Sequence, residues 1–146
     1  MSKERLEAFK VKGYTSPRSF SGFQIPVPLQ SLAIRRYCED RNYVFNHHVS
    51  ENISQGTFLV LERIVAEAHH YQAVAMCSIG QLPLDATHRS MIVTRSIDAG
   101  ISLHFVFEQL VVSCIKDIEA LNSLLILSSL VPHTPEQFAS LSRLIL

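Results

Sequence analysis

The stretch AVAMCSIGQLP, residues 73–83, decides how this chain folds. Residues 73–79 form an apolar run without polar alternation, as a central strand covered on both faces requires. Gly80 breaks the run and Pro83 follows, so the chain turns there. Such a strand needs helical layers above and below it, and helical periodicity stands on either side. Upstream, residues 58–70 read as a helix with Thr57 as its N-cap. Downstream, residues 85–99 read as another, ended by Gly100 at a left-handed cap position.

The same alternation continues outward. Residues 11–15, 43–49 and 101–107 read as further strands, and residues 110–114 as a short edge strand. Residues 29–42 turn helical, with Leu29, Leu32, Ala33, Tyr37 and Cys38 on one face and Arg35, Arg36, Glu39 and Asp40 polar. Residues 116–131 form a long amphipathic helix, and Thr134-Pro135-Glu136 opens a last one. Residues 1–10 are a solvated lead-in. Residues 16–28 hold Pro17, Pro26 and Pro28, and a loop of that length is more often functional than idle. Strands alternating with helices imply right-handed crossovers and a parallel sheet. The expectation is one α/β domain over residues 1–146, in three layers around a mostly parallel sheet of four or five strands. A C-terminal helix over residues 133–146 is added to it.

Composition narrows the function classes. With 47% apolar and 18% charged residues in 146, the chain supports a packed core without disulfides or metal. Thirteen Lys and Arg balance thirteen Asp and Glu, so no cationic surplus exists to neutralise phosphates. No nucleic-acid partner is expected. Cys38, Cys77 and Cys114 are odd in number and widely spaced, with no CxxC pair for zinc. Cys77 reads as a small core residue, and a reduced, cytoplasmic protein is expected. The N-terminus is charged and lacks the apolar segment of a signal peptide. The greasiest run, residues 121–131, is interrupted by Asn122, Ser123, Ser128 and Ser129, so no membrane partner is expected.

Open α/β sheets bind ligands outside the carboxyl ends of their strands. Those ends gather Ser16, Arg18, Ser19 and Ser21, then Ser50, Glu51 and Asn52, then Ser78 and Gln81, and last Glu108. Arg18 is either a solvated loop residue or an anion anchor, since its fork suits phosphate or carboxylate. Glu108 is either a catalytic or substrate-binding carboxylate or a strand-terminal turn. Glu62 lies on the Phe58, Leu61, Val65 stripe, where a carboxylate needs a partner such as Arg35 or a chemical role. His47 and His48 point to opposite faces of a strand, and His69 and His70 stand about 100° apart on a helix. No HxxxH or HExxH spacing occurs, so no metal is expected. His104 reads as a hydrogen-bonded core histidine. With five glycines and no GxGxxG, GxxxxGK[ST] or GxSxG, neither a nucleotide cradle nor a hydrolase elbow is present. No cofactor is expected.

Two resemblances fall on these segments. QSLAIRRYCEDRNY (30–43), AVAMCSIGQL (73–82) and AGISLHFVFEQL (99–110) resemble the catalytic domain of serine recombinases, the resolvases and invertases. The resemblance implies a resolvase-like or flavodoxin-like three-layer fold. That family carries its nucleophile in a Tyr-x-Arg-x-Ser strand end, whereas Tyr14-Thr15-Ser16-Pro17-Arg18-Ser19 breaks the spacing. Gly80-Gln81 stands where the family has Asp-Arg. Without the arginines that clamp a scissile phosphate, DNA recombination is not implied.

Residues 12–120 are also similar to a small bacterial family, the sporadic carbohydrate cluster proteins. Gly13, Tyr14, Arg18, Phe20, Gly22, Ile25, Pro26, Gln30, Ile34, Arg35, Tyr37 and Cys38 follow its pattern in order. Leu61-Glu62, Ser78, Gln81-Leu82-Pro83, His104-Phe105 and Glu108 complete it. One extra residue precedes Arg18. The resemblance implies a place in carbohydrate or sugar-containing natural-product biosynthesis. The expected function is a cofactor-independent isomerase or lyase acting on a sugar, sugar phosphate or nucleotide sugar. Glu108 and Glu62 are its candidate catalytic residues; Tyr14, Arg18, Gln30, Arg35, Ser78 and Gln81 are candidates for binding substrate. The alternative is a non-catalytic resolvase-like protein that dimerises or docks on a pathway enzyme. Its motive is the surplus of apolar residues at Leu121, Leu124, Leu125, Leu127 and Leu130, continued by Phe138, Leu141, Leu144, Ile145 and Leu146. A homo-oligomer is expected on either reading.

Overall fold

β3 (Ala73–Met76) lies in the middle of the sheet with all four residues buried, as its unbroken apolar run requires. The computed structural model describes residues 8–51 and 57–130. Around β3 stand β1 (Lys10–Thr15), β2 (Val44–Ser50), β4 (Ser102–Phe105) and β5 (Leu110–Val112), in the order β2-β1-β3-β4-β5. The first four are parallel, and β5 pairs antiparallel to β4. The helices are α1 (Val27–Asp40), α2 (Leu59–Ala66), α3 (Ala86–Asp98) and α4 (Asp117–Leu130). Two 3₁₀ turns, Ala68–His70 and Ile79–Gln81, lead into and out of β3.

Strand alternation splits the core in two. Val74, Met76, Leu103 and Phe105 face one way and pack with Leu61, Ile64, Val65, Ile92, Val93 and Leu121 from α2, α3 and α4. Ala73, Ala75 and Cys77 face the other way, against Ile34, Tyr37 and Cys38 of α1. The fold is therefore three-layered, mostly parallel and five-stranded. Strand order reverses between β1 and β3, and the crevice at such a reversal is where doubly wound sheets place their ligands.

Several local expectations are corrected. α1 starts at Val27 because prolines are accepted in a first helical turn. Its buried face is Gln30, Ser31, Ile34, Tyr37 and Cys38, while Leu29 and Leu32 are 55% and 61% exposed. The helix expected over residues 58–70 ends at Ala66 and continues as the 3₁₀ turn. Thr57 is not its N-cap; no side chain at the cap position fills that role. The strand expected to reach residue 107 stops at Phe105, and Phe107 is 52% exposed. Gly100 does adopt the left-handed conformation, φ 75°.

β2 carries a bulge. Val11 pairs with Phe45 but Gly13 pairs with His48, so β2 has one residue more than β1 across this step, and His47 sits at φ 100°. His47 Nε2 lies 2.9 Å from Lys12 Nζ, while His48 Nδ1 lies 3.0 Å from Ser31 Oγ on α1. Of the solvated lead-in expected over residues 1–10, residues 1–7 lie outside the described residues, but Phe9 packs against the α1-side core and Lys10 opens β1; Asn52 and the C-terminal helix over 133–146 also lie outside them. No helix among the described residues is long and apolar enough to cross a membrane.

Candidate functional site

The carboxyl ends of β1 and β3 are tied together by one buried side chain, Gln30. Its Oε1 accepts from Ser16 N at 3.1 Å and from Gln81 Nε2 at 2.8 Å. Its Nε2 donates to the carbonyls of Ser16 at 2.6 Å and Ile25 at 2.7 Å. A carboxamide has two donors and two acceptor sites, so Gln30 is saturated. Expected as a substrate ligand, it is placed by the structure as the strut that shapes the loop after β1.

Gln81 extends the strut. Its Oε1 accepts from Cys77 N at 2.9 Å and Ser78 N at 3.3 Å, forming with Ser78 a reciprocal cap on the Ile79–Gln81 turn. Ser78 Oγ accepts from Gly80 N at 3.1 Å and donates to Glu108 Oε1 at 2.6 Å. Ile79 N lies 3.3 Å from both Glu108 oxygens. Glu108, carried just past β4, thus closes the turn that follows β3, and among the described residues its Oε2 receives only the 3.3 Å contact from Ile79 N. An unbroken series runs Arg18, Ser16, Gln30, Gln81, Ser78, Glu108 across three strand ends.

A second cluster adjoins it on the α2 side. Glu51, only 3% exposed, accepts from Val60 N at 3.2 Å and Leu61 N at 3.1 Å, so it caps α2 from outside the helix. This is why Thr57 is not needed for that purpose. The α2 terminus favours a negative charge there. Tyr14 donates to Glu51 Oε2 at 3.0 Å. Burial first, then the Glu51 charge, pushes the Tyr14 phenol far above its ordinary range, so it remains a neutral donor. Arg18 Nε donates to Ser16 Oγ at 3.2 Å and its Nη1 to the Thr57 carbonyl at 2.9 Å; the guanidinium lies 4.5 Å over the Phe58 ring.

Glu62 and Arg35 are not brought together. Glu62 Oε1 lies 2.7 Å from His88 Nε2, across the α2–α3 contact. Arg35 projects from α1 on the opposite side of the sheet, 5.4 Å over the Phe45 ring. His88 was not among the residues singled out from the sequence. Its only local signal is its position in the first turn of α3, three residues after the Asp85 N-cap. His104 is buried on the α1 side, with Tyr37 Oη 2.7 Å from Nδ1 and Ser102 Oγ 2.8 Å from Nε2. Burial, then Arg41, lowers its pKa to about 4. Among the described residues no group of three or more His, Cys, Asp or Glu side chains is arranged to hold a metal ion.

Catalytic domains of recombinases are among the solved structures that share this arrangement. The chain is similar to the N-terminal catalytic domain of TP901-1 integrase, with TM-score 0.63 and 15% identity over 82% of this chain and 94% of that one. It is similar to a resolvase family site-specific recombinase from Streptococcus pneumoniae, with TM-score 0.60 and 15% identity over 83% and 88% of the two chains. The C-terminal catalytic domain of ISC1926 TnpA, an IS607-like serine recombinase, matches with TM-score 0.53 and 13% identity over 93% and 98%. Likeness at this identity shows the fold: this is a resolvase-like α/β domain. No family model matches the chain, and no curated protein does. The resemblance to the sporadic carbohydrate cluster proteins therefore gains no support from these comparisons.

Proposed function

We propose that this resolvase-like domain binds an anionic sugar, a sugar phosphate or nucleotide sugar, at the reversal between β1 and β3, and acts on it without a cofactor. The observation that carries this reading is the Gln30–Gln81 bridge. It fixes the Arg18 loop and the Ser78–Glu108 turn relative to one another before any ligand arrives. Pre-set polar groups lose little freedom on binding. Arg18 serves as the anion anchor, its guanidinium already oriented by Ser16, Thr57 and Phe58. Glu108 Oε2 supplies an acceptor for a sugar hydroxyl. Gln30 and Tyr14 support this site from behind, and Arg35 stands apart from it. Calorimetric titration of sugar phosphates and nucleotide sugars into wild type and Arg18→Ala tests the reading. Binding that is lost in the variant is expected; indistinguishable isotherms, or none at all, remove the anion anchor.

A second reading has its own observation. α4 shows apolar side chains on more than its core face: Leu121 is buried, while Ile126 and Leu127 are 64% and 57% exposed. Large apolar side chains exposed next to one another favour burial against a second surface. Beside it, between α3 and α4, runs a groove of about 870 Å³ lined by Leu82, Val93, Ile118, Leu121 and Leu125. This favours a homo-oligomer or a docked pathway enzyme. Sedimentation of wild type against Ile126→Glu/Leu127→Glu decides it. A monomer in both cases ends the self-association reading.

A further inference from the structure

We propose that His88 is the proton-transferring residue of this domain and that Glu62 is its positioning residue. The proposal rests on the anion site at Arg18 and names the group that would do chemistry beside it.

The pair is built as a directed dyad. Glu62 lies in the first turn of α2 and His88 in the first turn of α3, so both stand at the edge where β2 and β3 end. A carboxylate only accepts, so the 2.7 Å contact puts the imidazole proton on Nε2. In the neutral ring Nδ1 then keeps its lone pair. It has no hydrogen-bond partner among the described residues, and no buried polar side-chain atom there lacks one, so Nδ1 faces solvent. The ring is held from a second direction, edge-on to Phe58 at 5.5 Å between centroids. The same Phe58 ring carries Arg18 on its face at 4.5 Å. Arg18 and His88 therefore lie within about 10 Å of one another, both packed against one aromatic ring. A surface ion pair of Glu and His has no reason to share its packing partner with an anion anchor. A general base with an orienting carboxylate has one.

The fitting step is the interconversion of an aldose phosphate and a ketose phosphate. Nδ1 takes the proton from the carbon beside the carbonyl, and the C–H electron pair becomes the C=C bond of an enediolate. Glu62 stabilises the imidazolium through Nε2–H. The hydroxyl proton passes to the former carbonyl oxygen, and His88 returns its proton to the neighbouring carbon. Nothing is oxidised overall, and no co-reactant is consumed.

The test uses the full chain. In long-range ¹H–¹⁵N spectra, with His88 assigned by its loss in His88→Gln, we expect the neutral ring to be the Nε2–H tautomer. Glu62→Gln is expected to lose that single tautomer. Saturation with inorganic phosphate is expected to shift the Nδ1 signal in wild type and not in Arg18→Ala. In D₂O, deuterium from solvent is expected at the carbon beside the carbonyl of glucose, mannose or fructose 6-phosphate, slowed about 100-fold or more by His88→Gln. Three results overturn the role of His88 while leaving the anion site standing. They are Arg18-dependent phosphate binding with His88 unmoved, exchange that survives His88→Gln, and no exchange in any sugar phosphate that binds. Absence of Arg18-dependent phosphate binding overturns both.

Discussion

Gln30 and Gln81, fifty-one residues apart in sequence, meet amide to amide at 2.8 Å beneath the carboxyl edge of the sheet. Neither is replaceable by an apolar residue of similar size, because each also closes backbone bonds. Gln30→Ala strands Ser16 N and the Gln81 amide. It is expected to destabilise the fold by roughly 2–5 kcal/mol in urea denaturation. Gln30→Glu keeps the volume but removes both donors to the Ser16 and Ile25 carbonyls, so a loss of similar size separates hydrogen bonding from packing. A Gln30→Glu variant as stable as wild type counts against the strut.

His104 predicts a pH dependence. Its folded pKa of about 4 lies below the ordinary value of 6.5, so between these limits the unfolded chain binds the extra proton. The stabilisation is complete above pH 6.5 and is lost as pH falls toward 4. From pH 7 to pH 5 this group alone is expected to remove about 2 kcal/mol. His104→Gln should flatten that part of the urea stability profile, and an unchanged slope contradicts the assignment.

Gly13 sits where β2 bulges. A Cβ there would fall 2.9 Å from His48 Cβ and 3.2 Å from His48 Cα, so backbone would have to move. Gly13→Ala is expected to cost about 1–3 kcal/mol, read as a lowered urea midpoint with unchanged slope. A variant with the wild-type midpoint shows that β2 yields freely.

The thiols divide two to one. Burial raises Cys38 and Cys77 to pKa values of about 11, whereas Cys114 is exposed. Native protein is expected to release one equivalent of thionitrobenzoate rapidly from Ellman's reagent at pH 8, and three after unfolding in guanidinium. Cys114→Ser should abolish the rapid phase. Two fast equivalents in the native wild type refute this.

How far the sequence reached depends on how local each cause is. β3 and β4 were legible because continuous apolar runs carry their own explanation, although both strands end before the runs at 73–79 and 101–107 do, and the alternation with helices led to the parallel sheet. The face of α1 was misjudged because Leu29 and Leu32 look like core and Gln30 does not. Only a partner fifty-one residues away makes a buried amide tolerable there. The N-cap of α2 was misplaced for the same kind of reason, since Glu51 serves it from nine residues upstream of Val60. Glu62 was rightly read as needing a partner, but Arg35 lies across the sheet and His88 answers instead. Arg18, Ser78, Gln81 and Glu108 were named from strand ends alone. The structure gathers them along that edge and shows how much of their bonding is already spent on one another.

The bulge in β2 also bears on how this protein behaves when crowded with copies of itself. β2 and β5 are the two outer strands, and unpaired outer strands are the usual templates for runaway β-addition. One is kinked at His47, and the other is three residues long. Neither presents a flat ladder for a stranger to zip onto, so concentrated solutions should resist fibrillar aggregation.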